Sequence, residues 1–334
     1  MRAGFLLLMV SSVAYAGGGG WAPSPERLNE AWEYSAAHNG YSLLVIEQGR
    51  TLLERYAPGD GPNVLHKIYS GTKGLWCVAA VAAQNDGILN LDEPVSATIP
   101  EWRGQPGREG VTIRELLNFT AGVDPGFRLH QDEVPDRDGY ALALPQVAQP
   151  GGAFIYGPGQ IQVFCEVLRR KLAAKGGEEP WHYLVRKVLR PLGLGSPPHK
   201  VDARGNPLMA TGVRLTAREW TRFGEFLLAG GKSGALGQCL CGTARNPAFG
   251  MGFWLNEKAP SGRVINVEES LEPKWSRVDW NEACLSREAP RDLFVSLGSM
   301  GQRLYVVPSL ELVVVRLSGD SKFSDAEFLK LLLR

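Results

Sequence analysis

Residues 41–57 read YSLLVIEQGRTLLERYA, two apolar runs parted by the polar Glu47-Gln48-Gly49-Arg50. Strand-length runs around a Gly-containing turn predict a β-hairpin. Residues 72–85 (TKGLWCVAAVAAQN) repeat apolar positions at Leu75, Val78, Ala79 and Ala82, the spacing of a buried helix, and Asn85-Asp86-Gly87 supplies the stop. Thr112 with Glu115, and Thr216 with Glu219, stand in capping-box spacing before helices over 112–118 and 216–228. Helical patterns also cover 160–174, 179–192 and, as an amphipathic tail, 324–334. Residues 249–256, 293–297, 302–307 and 311–317 read as strands, the last three forming a meander that turns at Pro308-Ser309. Residues 122–155, dense in Asp, Pro and Gly, predict a long irregular segment.

Strands thus come first and last, with helices between. That order predicts an α+β fold of two lobes: an antiparallel sheet built from both chain ends and flanked by helices, carrying a mostly helical inserted lobe. The expected sheet lobe spans about 25–70 and 205–334, and the helical lobe about 71–204, within one catalytic domain over 25–334.

Composition narrows the function. Of 334 residues, 36 are Lys or Arg and 35 are Asp or Glu, so there is no basic excess and nucleic acid is not an expected partner. Met1-Arg2, the apolar run Phe5 to Val10 and Ala14-Tyr15-Ala16 form the pattern of a signal peptide over 1–16, followed by a Gly-rich flexible leader over 17–24. The expectation is an exported protein, periplasmic or secreted, without a stable membrane anchor. A buried N-terminal helix is the alternative. Cys77 and Cys165 sit in apolar helical runs and are expected as buried thiols. Cys284 with Cys239 or Cys241 is the candidate disulfide for an oxidising compartment. The five His residues are scattered, and no metal or other cofactor is expected.

The chemical signal is Ser70-Gly-Thr-Lys73, at the start of the best-patterned helix. Positions i and i+3 share a helix face, so hydroxyl and amine can meet. Serine needs a base to become a nucleophile, and a lysine serves once burial lowers its pKa. Unpaired N–H groups at the helix start favour developing negative charge. The other acyl-transfer arrangement, a Gly-x-Ser-x-Gly elbow, does not occur: Ile68 stands two before Ser70, and Leu297 two before Ser299.

Several blocks in order carry a resemblance. IYSGTKG (68–74), VTIRELLNFTAGV (111–123), GMGFWLN (250–256) and GQRLYVVPSLELVVVRL (301–317) together resemble the serine β-lactamase and penicillin-binding-protein superfamily, especially its class C-like branch of esterases, peptidases and amide hydrolases. The likeness covers roughly residues 40–320. It implies Ser70 as nucleophile, Lys73 as base and Tyr156, of Tyr156-Gly157-Pro158, as their catalytic partner, its phenol lowered by a nearby Lys⁺. Pro158 stands where the family carries Asn. The resemblance also implies a substrate-lining strand over Ser296, Leu297 and Gly298, with Ser296 replacing the usual Lys or His. The backbone N–H groups of Ser70 and Ser299 would form the oxyanion hole. Gln302 is expected to line the substrate, and Arg303 is a candidate carboxylate anchor. Trp76, Trp102, Trp254 and Tyr305 are expected as core residues, with pocket lining the alternative.

Without the amide and the cation, β-lactam recognition is disfavoured and an exported esterase- or amidase-like serine hydrolase, acting on a small ester, amide or peptide without a cofactor, is favoured. A β-lactamase or D,D-peptidase, and a non-catalytic or slowly acylating cell-wall sensor, stay open as alternatives. Oligomeric state is not fixed by the sequence.

Overall fold

A computed structural model describes residues 21–231, 234–271, 278–320 and 322–334. The expected signal peptide lies outside the described residues. Within the expected leader, Trp21 packs against the core and Ser24 caps a helix, so these two belong to the fold. That helix, α1 (Pro25–Ala37), is not predicted by the hydrophobic pattern. It buries only Leu28, Ala31 and Ser35, too few apolar positions to mark a stripe.

The hairpin forms as β1 (Gly40–Glu47) and β2 (Arg50–Tyr56), turning through Gln48 (φ 50°) and Gly49 (φ 72°). Two successive left-handed residues match the twist of the flanking strands. Next come β3 (His66–Lys67), α2 (Thr72–Asn85), α3 (Ile113–Leu117), α4 (Arg137–Leu142), α5 (Gly159–Ala173) and α6 (Pro180–Leu184). Both predicted capping boxes are present, Thr112 with Glu115 on α3 and Thr216 with Glu219 on α7 (Ala217–Gly230), which follows β4 (Arg214–Leu215). The helix expected over 179–192 runs on from α6 through a π-helical segment (Val185–Leu189) into a 3-10 turn (Arg190–Leu192), where Pro191 has no N–H to continue the ladder. The chain closes with β5 (Trp254–Leu255), β6 (Arg263–Val264), α8 (Val267–Leu271), β7 (Ala283–Cys284), β8 (Phe294–Gly298), β9 (Gln302–Val307), β10 (Leu312–Ser318) and α9 (Asp325–Leu333).

Six strands make one antiparallel sheet in the order β2-β1-β10-β9-β8-β5. The first strand therefore pairs with the last, Val45 facing Val314, as the strand-first, strand-last order predicts. Both faces are covered. Leu304 and Val313 meet α7 at Gly224, where a Cβ would stand 2.6 Å from either side chain. Alternation sends Arg303, Tyr305 and Arg316 to the opposite face, against α1 and α9.

Three expectations are corrected. The strand expected over 249–256 reduces to β5: Phe249 folds back to bridge Trp254 through Gly252 (φ 76°). A Cβ on Gly252 would lie 2.8 Å from Cys77 Sγ and 3.0 Å from the Lys73 carbonyl, so this segment is a tight turn pressed onto α2. The disulfide does not form, and all five thiols are free. Cys239 points its thiol at the Cys77 carbonyl, Cys241 at Gly237, and Cys284 is buried in β7. Arg303 is no substrate anchor: it is fully buried and paired with Asp325 at 2.7 Å and Glu268 at 2.9 Å.

Candidate active site

Ser70 sits in a 3-10 turn (Tyr69–Gly71) that runs into α2. Tyr69 is left-handed (φ 44°), a conformation costing a non-Gly residue roughly 1–2 kcal/mol, and it sets the direction in which the next residue leaves the turn. Gly71 is required by contact, since a Cβ there would meet the Trp220 ring at 2.6 Å. Lys73 follows one turn on and is buried. Its Nζ stands 2.9 Å from Ser70 Oγ and donates to the Ala210 carbonyl at 3.2 Å. No carboxylate pairs with it among the described residues. Burial holds its amine down at about 7, only weakly opposed by the Cys77 thiol. Close to neutrality a sizeable fraction is therefore the free amine, whose lone pair can accept the Ser70 proton.

Tyr156 is delivered by the turn before α5. Gly157 and Gly159 press on the Asp124–Pro125 backbone, where added Cβ atoms would come within 2.4 and 2.6 Å of carbonyl oxygens. The Tyr156 phenol lies against the Ser70 hydroxyl, and its ring faces Lys73 Nζ at 4.8 Å from the centroid. Phe119, Phe249 and Trp254 wall it in at centroid distances of 5.0, 5.9 and 5.9 Å. Burial pushes the phenol well above its ordinary range, and the Ser70 contact offsets this only in part. The expected lowering of the phenol by a lysine cation is thus overturned, because the nearby amine is itself desolvated. Tyr156 keeps its proton at neutral pH.

Pro158, in place of the family's Asn, occupies the N-cap of α5, where a missing N–H goes unneeded. On the opposite wall, Ser296 Oγ donates to the Gly71 carbonyl at 3.2 Å and Leu297 is buried. Gly298 comes so close that a Cβ would stand 2.1 Å from the Ile68 carbonyl oxygen. Strand β8 is therefore in contact with the turn that carries Ser70, and Ser299 follows at the exposed turn beyond it. Met300 and Gly301 anchor that turn by donating to the Glu268 carboxylate, each at 3.0 Å. Two expected lining residues spend their polar groups within the protein: Ser296 ties β8 to the nucleophile turn, and the Gln302 amide bonds Met300 and Ser318 while the residue borders a cleft beside Tyr69 and Met300.

The sequence did not single out the Ala210 carbonyl, Phe119, Phe249 or His130. The carbonyl and the two phenylalanines have no signal of their own, since backbone and aromatic packing look alike throughout a core. His130 ends the 3-10 turn Phe127–His130 at the rim. It is solvent-accessible yet walled by protein, and crowding, then Lys73, Arg137 and Lys200, hold its imidazole down at about 4. Of the aromatics expected in the core, Trp76, Trp102, Trp254 and Tyr305 are all buried, and Trp254 also borders Tyr156.

A family described as Beta-lactamase matches residues 27–330. The chain is 28% identical over 170 residues to the acyltransferase calJ of Penicillium decumbens, covering 42% of this chain and 40% of that protein. It is 24% identical over 305 residues to the 6-aminohexanoate-dimer hydrolase of Paenarthrobacter ureafaciens, covering 83% of this chain and 72% of that protein. The fold is shared with the class C beta lactamase from Rhodobacter sphaeroides, with a TM-score of 0.64 and 18% identity over 91% of this chain and 96% of that one.

Proposed function

Because the chain belongs to the β-lactamase family, matched over residues 27–330, we propose that it is an exported serine hydrolase that cleaves a carboxylic ester or small amide through an acyl-enzyme on Ser70. The observation that carries this reading is the 2.9 Å contact between Ser70 Oγ and a buried Lys73 amine that has no carboxylate partner. Ser70 Oγ attacks the substrate carbonyl as its proton passes to Nζ. The oxyanion rests on the N–H groups of Ser70 and Ser299, each such donor being worth roughly 10²–10³ in rate. The protonated Tyr156 phenol, against Ser70, hands a proton to the departing alcohol or amine and is refilled from Lys73. Water then attacks the acyl carbonyl, giving its proton to the same pair, and Ser70 leaves as the free hydroxyl.

Ester or small-amide cleavage needs only nucleophile, base and oxyanion donors. Ser296 supplies no cation and Pro158 no amide, which weighs against a β-lactam or D,D-peptide as the preferred substrate. The 6-aminohexanoate-dimer hydrolase is, by name, a hydrolase of a small dimer, which supports a small acyl substrate here. Export rests on the residue pattern over 1–16, and a mature N-terminus at Gly17 is its test.

A fluorophosphonate probe is expected to label the protein stoichiometrically, with labelling lost in Ser70→Ala. Short-chain p-nitrophenyl esters are expected to turn over faster than nitrocefin. Folded protein that takes no label would replace this reading with a ligand-binding sensor, and faster nitrocefin turnover would replace it with a β-lactamase.

A further inference from the structure

The β3–β4 ribbon sets Lys67 directly opposite Arg214. Opposed residues of an antiparallel pair share a face, and like charges there repel. Both side chains are exposed, and neither has an ion-pair partner among the described residues. The carboxylates nearby are engaged elsewhere. Asp60 is held by His66 at 2.8 Å, and Asp132, which feels Lys67, is bound by Lys200. Two cations are thus held side by side with no ion-pair partner of their own among the described residues, Asp132 acting on Lys67 only from a distance while bound by Lys200.

They border an open cleft of about 300 Å³. Its lining includes Tyr69, the residue before Ser70, and Met300, the residue after Ser299. The cleft therefore abuts both segments that furnish the proposed oxyanion hole. Leu65 and Met300 give it apolar surface, and Tyr41 stacks on His66 with centroids 5.0 Å apart. A cleft of mixed polar and apolar lining that carries two exposed cations is complementary to a short chain that ends in an anion.

We propose that Lys67 and Arg214 bind a carboxylate carried by the substrate, so that the preferred ester or amide is one with an anionic end. This rests on the hydrolase reading above and adds the substrate class. The guanidinium presents a planar fork to the carboxylate and the ammonium a point charge, while the bound anion relieves the repulsion between them. Ser296 leaves the β8 wall without a cation, and this pair supplies positive charge in the cleft beside Tyr69 and Met300.

The test compares kcat/KM for matched esters: mono-4-nitrophenyl adipate against 4-nitrophenyl hexanoate for an anionic acyl arm, and 4-carboxyphenyl against phenyl hexanoate for an anionic leaving group. The wild type is expected to favour one anionic ester over its neutral partner. High salt should shrink that ratio, and Lys67→Glu or Arg214→Glu should lower it about tenfold. Lys67→Arg should retain it. Lys67→Glu also converts a repulsive pair into an attractive one, so its melting temperature should rise, which separates lost recognition from lost folding. Equal turnover within both ester pairs, or a preference that survives the charge reversals, overturns the proposal. Failure to cleave any of the esters defeats the hydrolase reading alone. Adipate should then still raise the melting temperature of the wild type and not of Lys67→Glu, and absence of that shift defeats the carboxylate site.

Discussion

Lys73 is the residue on which the chemistry and the stability of the protein collide. Its amine titrates at about 7 in the folded chain against 10.5 ordinarily, because burial disfavours the cation. Between those two values the unfolded chain binds the proton and the folded chain does not, so stability rises with pH across that window. Below about pH 7 both states carry the proton and this contribution levels off. Lys73→Met removes the titration: the wild type should gain stability from pH 7 toward pH 10 relative to the variant, measured as the difference in urea unfolding free energy. Activity should follow the same group. Since the free amine is the proposed base, kcat/KM should rise with pH through about 7, and Lys73→Ala should lower turnover by roughly 10²–10⁴ while the protein still folds. A flat profile across that range would assign the base to another group. Tyr156 gives no competing inflection near neutrality, because burial holds its phenol well above that range.

At the scale of elements, the site depends on how closely β8 approaches the turn that carries Ser70. Gly298 permits that approach, and a methyl there would need the Ile68 carbonyl to retreat from a 2.1 Å contact. Gly298→Ala is therefore expected to cost about 1–3 kcal/mol of stability and to cut kcat/KM about 10²-fold, because Ser299 follows directly on Gly298 at the end of β8. Equal kcat/KM in the variant, at equal melting temperature, would mean the strand can shift without disturbing the chemistry. The same scale explains what the sequence made legible. Helix α2 was readable to its end residues because period, Ala content and a Gly stop agree, and the capped starts of α3 and α7 were readable because a capping box is local chemistry. The Ser70–Lys73 contact was readable because both partners lie on one turn. Long-range events were not. The 250–253 turn is fixed by the Cys77 thiol and the Lys73 carbonyl, the Gln302 amide by Ser318, and the Lys73 partner Ala210 by a carbonyl 137 positions away. The direction of the Tyr156 shift depends on an aromatic wall drawn from three distant segments, so proximity to a lysine was a poor guide to it.

Across the whole molecule, the two chain ends must meet before the site exists. Strand β1 pairs with β10, and α1 and α9 cover one face of the sheet that β8 and β9 extend toward Ser70. A buried polar cluster locks α9 to that face. Arg303, the residue wrongly expected to hold a substrate carboxylate, instead gives Nε to Asp325 Oδ1 at 2.7 Å and Nη2 to Oδ2 at 3.2 Å, while the Tyr305 hydroxyl donates to the same carboxylate at 2.5 Å. Arg303 Nη1 also reaches the Gly298 carbonyl at 3.0 Å, so the cluster touches the strand that walls the site. Both charges are out of water, at 0% and 1% side-chain exposure, and removing one strands the other. Asp325→Ala is therefore expected to cost about 3–5 kcal/mol, read from urea unfolding, with Glu268 at 2.9 Å left, among the described residues, as the one carboxylate paired with Arg303. Pairing it with Arg303→Met should restore part of that loss, since the guanidinium is no longer stranded and Glu268 keeps the Met300 and Gly301 N–H groups. A single substitution costing under about 1 kcal/mol would mean that Glu268 alone neutralises the guanidinium and that α9 is held by its apolar face, Phe328, Leu329 and Leu332, without help from the ion pair.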